Sequence, residues 1–151
     1  MRVLQVYKDY YPVIGGIENT VRMLAREVSQ REGFEVTVLT TNTRPWTERQ
    51  VIDGVEVIKA GRQLTMASTP ISLQLIAEMR RLKPDVTHLH SPYPWGEMAY
   101  LLAGRGKMVL TYYSDIVKQR GLLRFYEPFL WTVLKRAEVV VANSPNYVES
   151  S

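Results

Sequence analysis

The chain has 151 residues, 46% of them hydrophobic, with 19 Lys and Arg against 15 Asp and Glu and no cysteine. That length accommodates one domain with a real core and not two ordinary ones, and the lack of cysteine excludes a disulfide framework or a cysteine-based zinc site. A formal charge of +4 permits phosphates, acidic lipid or nucleic acid as partners. No RNP-like motif, helix-turn-helix signal or long basic tract accompanies that charge, so nucleic acid is set aside.

In chain order, the first apolar run is "RVLQVY", Arg2 to Tyr7. The sequence turns polar directly after it, which excludes a signal peptide, and no run approaches the roughly 20 apolar residues that span a bilayer. "KDYYPVIGGIEN" follows, with Gly15 and Gly16 just ahead of a helical stripe of Ile17, Val21, Leu24, Ala25 and Val28. Gly33 is placed to end that helix. A glycine pair there serves either a tight turn with positive φ or the close approach of an anion to a helix N-terminus. The spacing is neither G-x-G-x-x-G nor a P-loop, so dinucleotide and Walker-type sites are unsupported.

Further strands are predicted at "EVTVLT" (Glu35 to Thr40), "VEVIKA" (Val55 to Ala60), "DVTHLH" (Asp85 to His90), "MVLTYY" (Met108 to Tyr113) and "EVVVAN" (Glu138 to Asn143). Residues 41 to 54 read as a loop leading into a strand. Helical stripes carry Ile71, Leu75, Met79 and Leu82 before Pro84, then Met98, Ala99, Leu101 and Leu102 up to Gly104. Between His90 and Met98, "SPYPWGE" reads as a proline-stiffened loop whose Tyr93 and Trp95 either stack on a sugar or pack. The segment from Val117 to Ala137 reads as a core helix interrupted at Pro128, or as one presenting Leu122, Phe125, Phe129 and Trp131 to an anionic membrane. Helices alternating with apolar strands predict an α/β fold: a Rossmann-like, doubly wound, mainly parallel sheet with helices on both faces. Ligands in such sheets bind at the carboxyl ends of the strands. The chain reaches Ser151 just as another helix is expected after Pro145, an unusual place for an independent domain to stop.

His88 and His90 are the two histidines, and their i, i+2 spacing puts both on one strand face. With no cysteine or further histidine to complete a ligand set, no metal site is expected. His88 reads as a hydrogen-bonded core residue and His90 as a cleft-edge residue.

"YYPVIGGIENTVRMLAREVSQREGFEVTVLT", "DVTHLHSPYPWGEMA" and "LTYYSDIVKQRGLLRFYEPFLWTVLKRAEVVVANSPNYVESS" together resemble the amino-terminal half of a family 4 glycosyltransferase of the two-domain, retaining GT-B group. The resemblance implies a single acceptor-side domain over residues 1–151, with the nucleotide-sugar-binding domain lying outside this chain. It implies hexose transfer from a nucleotide sugar to an acceptor hydroxyl, with no cofactor beyond the donor substrate, by a chain that is inactive alone. It places Gly15 and Gly16 by the donor diphosphate, and Tyr113 and Asp115 in catalytic positions. Tyr10, His90, Tyr93, Lys118 and Asn143 fall on the acceptor and cleft side. The implied partners are the nucleotide sugar and a carbohydrate or lipid-linked acceptor. The implied location is the cytoplasm, with peripheral contact at the inner face of the membrane. One departure stands out: the family's "TYYSD" segment usually carries histidine where this chain has Tyr113. A noncatalytic carbohydrate- or partner-binding domain is the other reading.

Overall fold

The computed structural model describes residues 1–113 and 120–142, with side chains of residues 120–127 excepted. Asp115, Lys118 and Asn143 lie outside the described residues, as does the chain after Pro145. The elements are β1 (Arg2–Val6), α1 (Gly16–Ser29), β2 (Glu35–Thr41), β3 (Glu48–Ile52), β4 (Val55–Ala60), β5 (Leu64–Met66), β6 (Thr69–Ile71), α2 (Leu73–Arg81), β7 (Val86–Ser91), α3 (Pro94–Ala103), β8 (Lys107–Tyr112), α4 (Arg120–Arg136) and β9 (Val139–Ala142).

Seven strands form one sheet in the order β3-β4-β2-β1-β7-β8-β9. Every pairing in it is parallel except β3 with β4. The predicted α/β class is therefore the observed one. Leu4, Val6, Val38, Leu39, Val57, Ile58, Leu89 and Leu110 are buried, because a sheet covered on both faces needs apolar residues at successive positions and not at alternate ones. β1 has β2 on one side and β7 on the other. Right-handed crossovers then send α1 and α3 to opposite faces, and the topological switch falls between β1 and β7.

Two hairpins depart from the predicted elements. Residues 41 to 54 are not all loop: Glu48–Ile52 forms an antiparallel edge strand on β4, closed by the two residues Asp53 and Gly54 at φ 53° and 80°. A two-residue Asp-Gly turn with both φ positive matches the right-handed twist of the strands, and the same dipeptide in "VIDGVEV" is the signal that predicts it. The second hairpin, β5 with β6, turns on Ala67 and Ser68 at φ 50° and 63°, residue types that carry no such signal. Ile71 consequently belongs to β6, and α2 starts at Leu73, where the Ser72 hydroxyl accepts a hydrogen bond from the Leu75 amide at 3.0 Å.

The proline loop is also shorter than expected, since Pro94 occupies the first turn of α3, where its missing N–H is no loss. Gly33, at φ +80°, lies beyond the α1 cap at Gln30 and turns the chain into β2. α4 runs through Pro128. Its Val133 is fully buried, Phe129 and Leu134 pack on the core, and Trp131 is 56% exposed. The core reading therefore holds for the part of α4 whose side chains are described, with Trp131 as its exception.

Candidate functional site at the switch point

The crevice between β1 and β7 is bounded by the chain after Val6, the chain after His90 and the residue after Tyr112. Parallel register puts Gln5 beside His88 and His90 beside Thr111, so side chains from three strands share one face. They form a hydrogen-bonded ladder. His88 Nε2 lies 2.7 Å from Thr111 Oγ1, His90 Nδ1 lies 2.9 Å from the Tyr113 hydroxyl, and His90 Nε2 lies 3.2 Å from Gln5 Oε1. His88, His90 and Tyr113 stack, with ring centroids 4.2 Å and 5.8 Å apart, and Tyr7 meets His90 edge-on.

Burial sets the charge state of this stack. Desolvation lowers the pKa of His88 to about 4 and holds that of His90 well below the ordinary imidazole value, with His88 as a secondary cause there. Both imidazoles are neutral at physiological pH. Burial also raises Tyr113 to about 12, so its phenol stays protonated. His90 is 1% exposed, which replaces the expected cleft edge with a supporting layer beneath it.

Tyr10 and Tyr93 are built into the floor as well. Tyr93 is 2% exposed, packs edge-on against Tyr7 and directs its hydroxyl to Pro70 O at 3.4 Å. A Cβ at Gly96 would strike the Tyr93 ring, so that glycine is what lets α3 approach it. Glu97, from the same helix, accepts hydrogen bonds from Ser91 Oγ at 2.8 Å and from the Tyr93 amide at 3.2 Å. The Trp95 indole donates to Ser72 O at 2.9 Å. These aromatics pack, as the alternative reading of "SPYPWGE" has it. Tyr10 is 2% exposed, and burial raises its pKa to about 12.

At the glycine pair the tight-turn explanation is overturned. Gly15 is extended, at φ −164° and ψ 171°, and Gly16, the first residue of α1, does not have positive φ. A Cβ on Gly15 would meet only the mobile end of the Glu18 side chain, and one on Gly16 would meet nothing within 4 Å. Neither residue is demanded by the backbone. Gly16 instead leaves the N-terminus of α1 open to approach, with the Glu18 carboxylate folded over Gly15 beside it.

Asp9, Lys59 and Arg62, not singled out from the sequence, complete the rim with Thr41, at a predicted strand end. Asp9 Oδ1 accepts from Arg62 Nη2 at 2.9 Å, and Arg62 also reaches Thr41 Oγ1 at 3.3 Å. Lys59 donates to Tyr11 O at 2.6 Å, and desolvation lowers its pKa. Only their positions at strand ends distinguish these residues in the sequence, and the strand order needed to bring them together is not written there. Among the described residues, no group of His, Asp and Glu has the arrangement of a metal site, and no helix is long and apolar enough to cross a membrane.

A Rossmann-like sheet with its crevice at the switch point, walled by a glycine-opened helix N-terminus and a buried histidine-tyrosine stack, defines the class of protein. Over residues 14–150 the sequence matches the family described as Glycosyltransferase Family 4. The O-antigen chain mannosyltransferase C of Escherichia coli and the D-rhamnosyltransferase WbpZ of Pseudomonas aeruginosa are each 37% identical to this chain over its whole length. The chain spans 42% and 40% of those two proteins. The GDP-mannose:cellobiosyl-diphosphopolyprenol alpha-mannosyltransferase of Komagataeibacter xylinus is 32% identical over 97 residues, covering 60% of this chain and 24% of that protein. The chain belongs to Glycosyltransferase Family 4.

Proposed function

We propose that this domain is the acceptor-side half of a retaining glycosyltransferase that moves a manno-configured hexose from a nucleotide sugar to an acceptor hydroxyl. The supporting observation is the family match over residues 14–150, which takes in the start of α1, the strand that carries His88 and His90, and Tyr113. The sugar class comes from the names of the relatives, two of which specify mannose and one D-rhamnose, the 6-deoxy form of mannose. The polyprenol in one of those names supports a lipid-linked acceptor, and with it peripheral contact with the inner face of the cytoplasmic membrane. A second, nucleotide-gripping domain completes the site in the full-length protein.

In this mechanism the acceptor hydroxyl attacks the anomeric carbon from the face that the diphosphate leaves. Negative charge grows on the leaving phosphates. Backbone N–H groups at the start of α1 are free of intrahelical partners and carry the positive end of the helix dipole, so an approach over Gly16 stabilises that charge. Domain closure over the crevice excludes water from the activated sugar. Tyr113 meets the transferred sugar.

A noncatalytic carbohydrate-binding domain is favoured by one observation, that the Tyr113 hydroxyl is engaged by His90 inside the sheet. Turnover separates the two readings. Full-length protein, incubated with GDP-mannose and polyprenyl-diphosphate-linked saccharides, is expected to release GDP and extend the acceptor; sugar binding without GDP release selects the noncatalytic reading.

A further inference from the structure

We propose that Gln5 and His90 are positioning residues that turn the Tyr113 hydroxyl into a hydrogen-bond acceptor, so that this position takes a sugar hydroxyl and rejects a phosphate oxygen. The proposal rests on the reading that Tyr113 faces the transferred sugar.

The chain of reasoning starts at Gln5. It is 1% exposed on the central strand, and its Oε1, which can only accept, lies 3.2 Å from His90 Nε2. A neutral imidazole facing an acceptor at Nε2 carries its proton there. Nδ1 is then bare, and it accepts the Tyr113 O–H at 2.9 Å. A phenol has one proton. With that proton held by His90, only oxygen lone pairs remain for the crevice, and their partner must be a donor. Sugar hydroxyls donate, whereas the oxygens of a fully ionised diphosphate only accept.

The surroundings keep this arrangement in place. The Tyr113 amide donates to Ser91 O at 3.0 Å, which anchors the residue beside the end of β7 independently of its hydroxyl. His88 stacks on His90 with an interplanar angle of 29°, and Tyr7 blocks the ring edge-on at 74°. Rotation of the imidazole is therefore opposed on both sides. Gln5 stands 85 residues from His90 in the chain, so neither its burial nor its pairing is a local accident. A buried amide on the central strand of the sheet needs a partner, and His90 supplies one.

The tautomer of His90 tests the relay, and it is readable in full-length protein by nitrogen NMR of labelled histidine, with His90→Asn assigning the signal. The proposal expects protonated Nε2 and bare Nδ1 in the wild type and in Gln5→Glu, and a mixture in Gln5→Leu. A protonated Nδ1 in the wild type overturns it, whether or not Gln5→Leu folds. Calorimetry with GDP-mannose and with GDP supplies the second arm. Tyr113→Phe is expected to weaken GDP-mannose by about three- to tenfold, the size of one lost neutral hydrogen bond, and to leave GDP unchanged. Equal loss for both ligands overturns the selectivity. No loss for either, beside the expected tautomer, upholds the relay and removes Tyr113 from the sugar.

Discussion

The Tyr113 hydroxyl lies 2.9 Å from Nδ1 of His90, a residue 23 positions earlier on the neighbouring strand. This contact makes Tyr113 part of the sheet's internal hydrogen bonding as well as a wall of the crevice, and the two roles predict different consequences of mutation. In the full-length protein Tyr113→Phe is expected to lower kcat/KM by about three- to tenfold while costing roughly 0.5 to 1.5 kcal/mol of stability. Tyr113→His restores the family's usual residue and is expected to keep the rate within about threefold of the wild type. Steady-state rates normalised to the folded fraction check both; an unchanged rate for Tyr113→Phe confines the residue to packing.

Gly16→Val separates backbone need from ligand need. No atom lies within 4 Å of the added Cβ and φ is not positive, so the domain is expected to lose no more than about 1 kcal/mol, the scale of helix propensity differences. Activity of the full-length enzyme is expected to fall by at least about tenfold, because a branched side chain fills the approach to the α1 N–H groups. Thermal melts and GDP release are the measurements. Full activity would show that no ligand group approaches the helix over Gly16.

Gly106→Ala is the structural counterpart. Gly106 has φ +75°, and a Cβ there would lie 2.7 Å from both the Asp85 and the Pro84 carbonyl oxygens, which cannot give way without moving the end of the 82–85 connection. Gly33, at φ +80°, has nothing within 4 Å of its Cβ. The alanine at 33 is expected to cost about 1 to 2 kcal/mol from strain alone, and the alanine at 106 distinctly more. Equal urea midpoints for the two variants would show that the carbonyl contacts contribute nothing.

Stability is expected to rise with pH between about 4 and 6.5. His88 has its pKa lowered by burial to about 4, so over that window the unfolded chain binds the proton that the folded chain refuses. The associated stability is fully present above the unfolded value near 6.5 and is lost as pH falls through the folded value, each unit of depression being worth about 1.4 kcal/mol. His90 adds in the same direction. Asp53 and Asp85, held low by the Arg22 side chain and the Arg2 amide respectively, lose their contributions as pH falls from the ordinary carboxylate value toward their lowered folded ones, mostly below the window. Urea midpoints at half-unit steps of pH, compared with those of His88→Gln, give the result; a flat profile contradicts it.

Much of the fold is legible in the chain itself, for a simple reason. A parallel strand covered on both faces must be apolar at consecutive positions, and β1, β2, β4, β7 and β8 therefore appear as β-branched runs. Glu48–Ile52 escapes that rule because it lies at the sheet edge with its middle residues exposed, leaving Asp53-Gly54 as its one local mark. The β5–β6 turn on Ala67 and Ser68 has no local mark, and the antiparallel pairing of Met66 with Thr69 closes over those two residues at positive φ.

The crevice divides in the same way. The position of Gly15 and Gly16 ahead of an amphipathic helix is a property of the sequence, whereas the openness above Gly16 depends on where Glu18 folds. The i, i+2 spacing of His88 and His90 is local and guarantees a shared face. Their partners are not local: Gln5, Thr111 and Tyr113 meet them only because β7 lies between β1 and β8 in one particular register. Strand order is decided by the burial of the whole sheet between its helices. A periodicity of two residues can state which side chains share a face, but contains no term for which strand comes next.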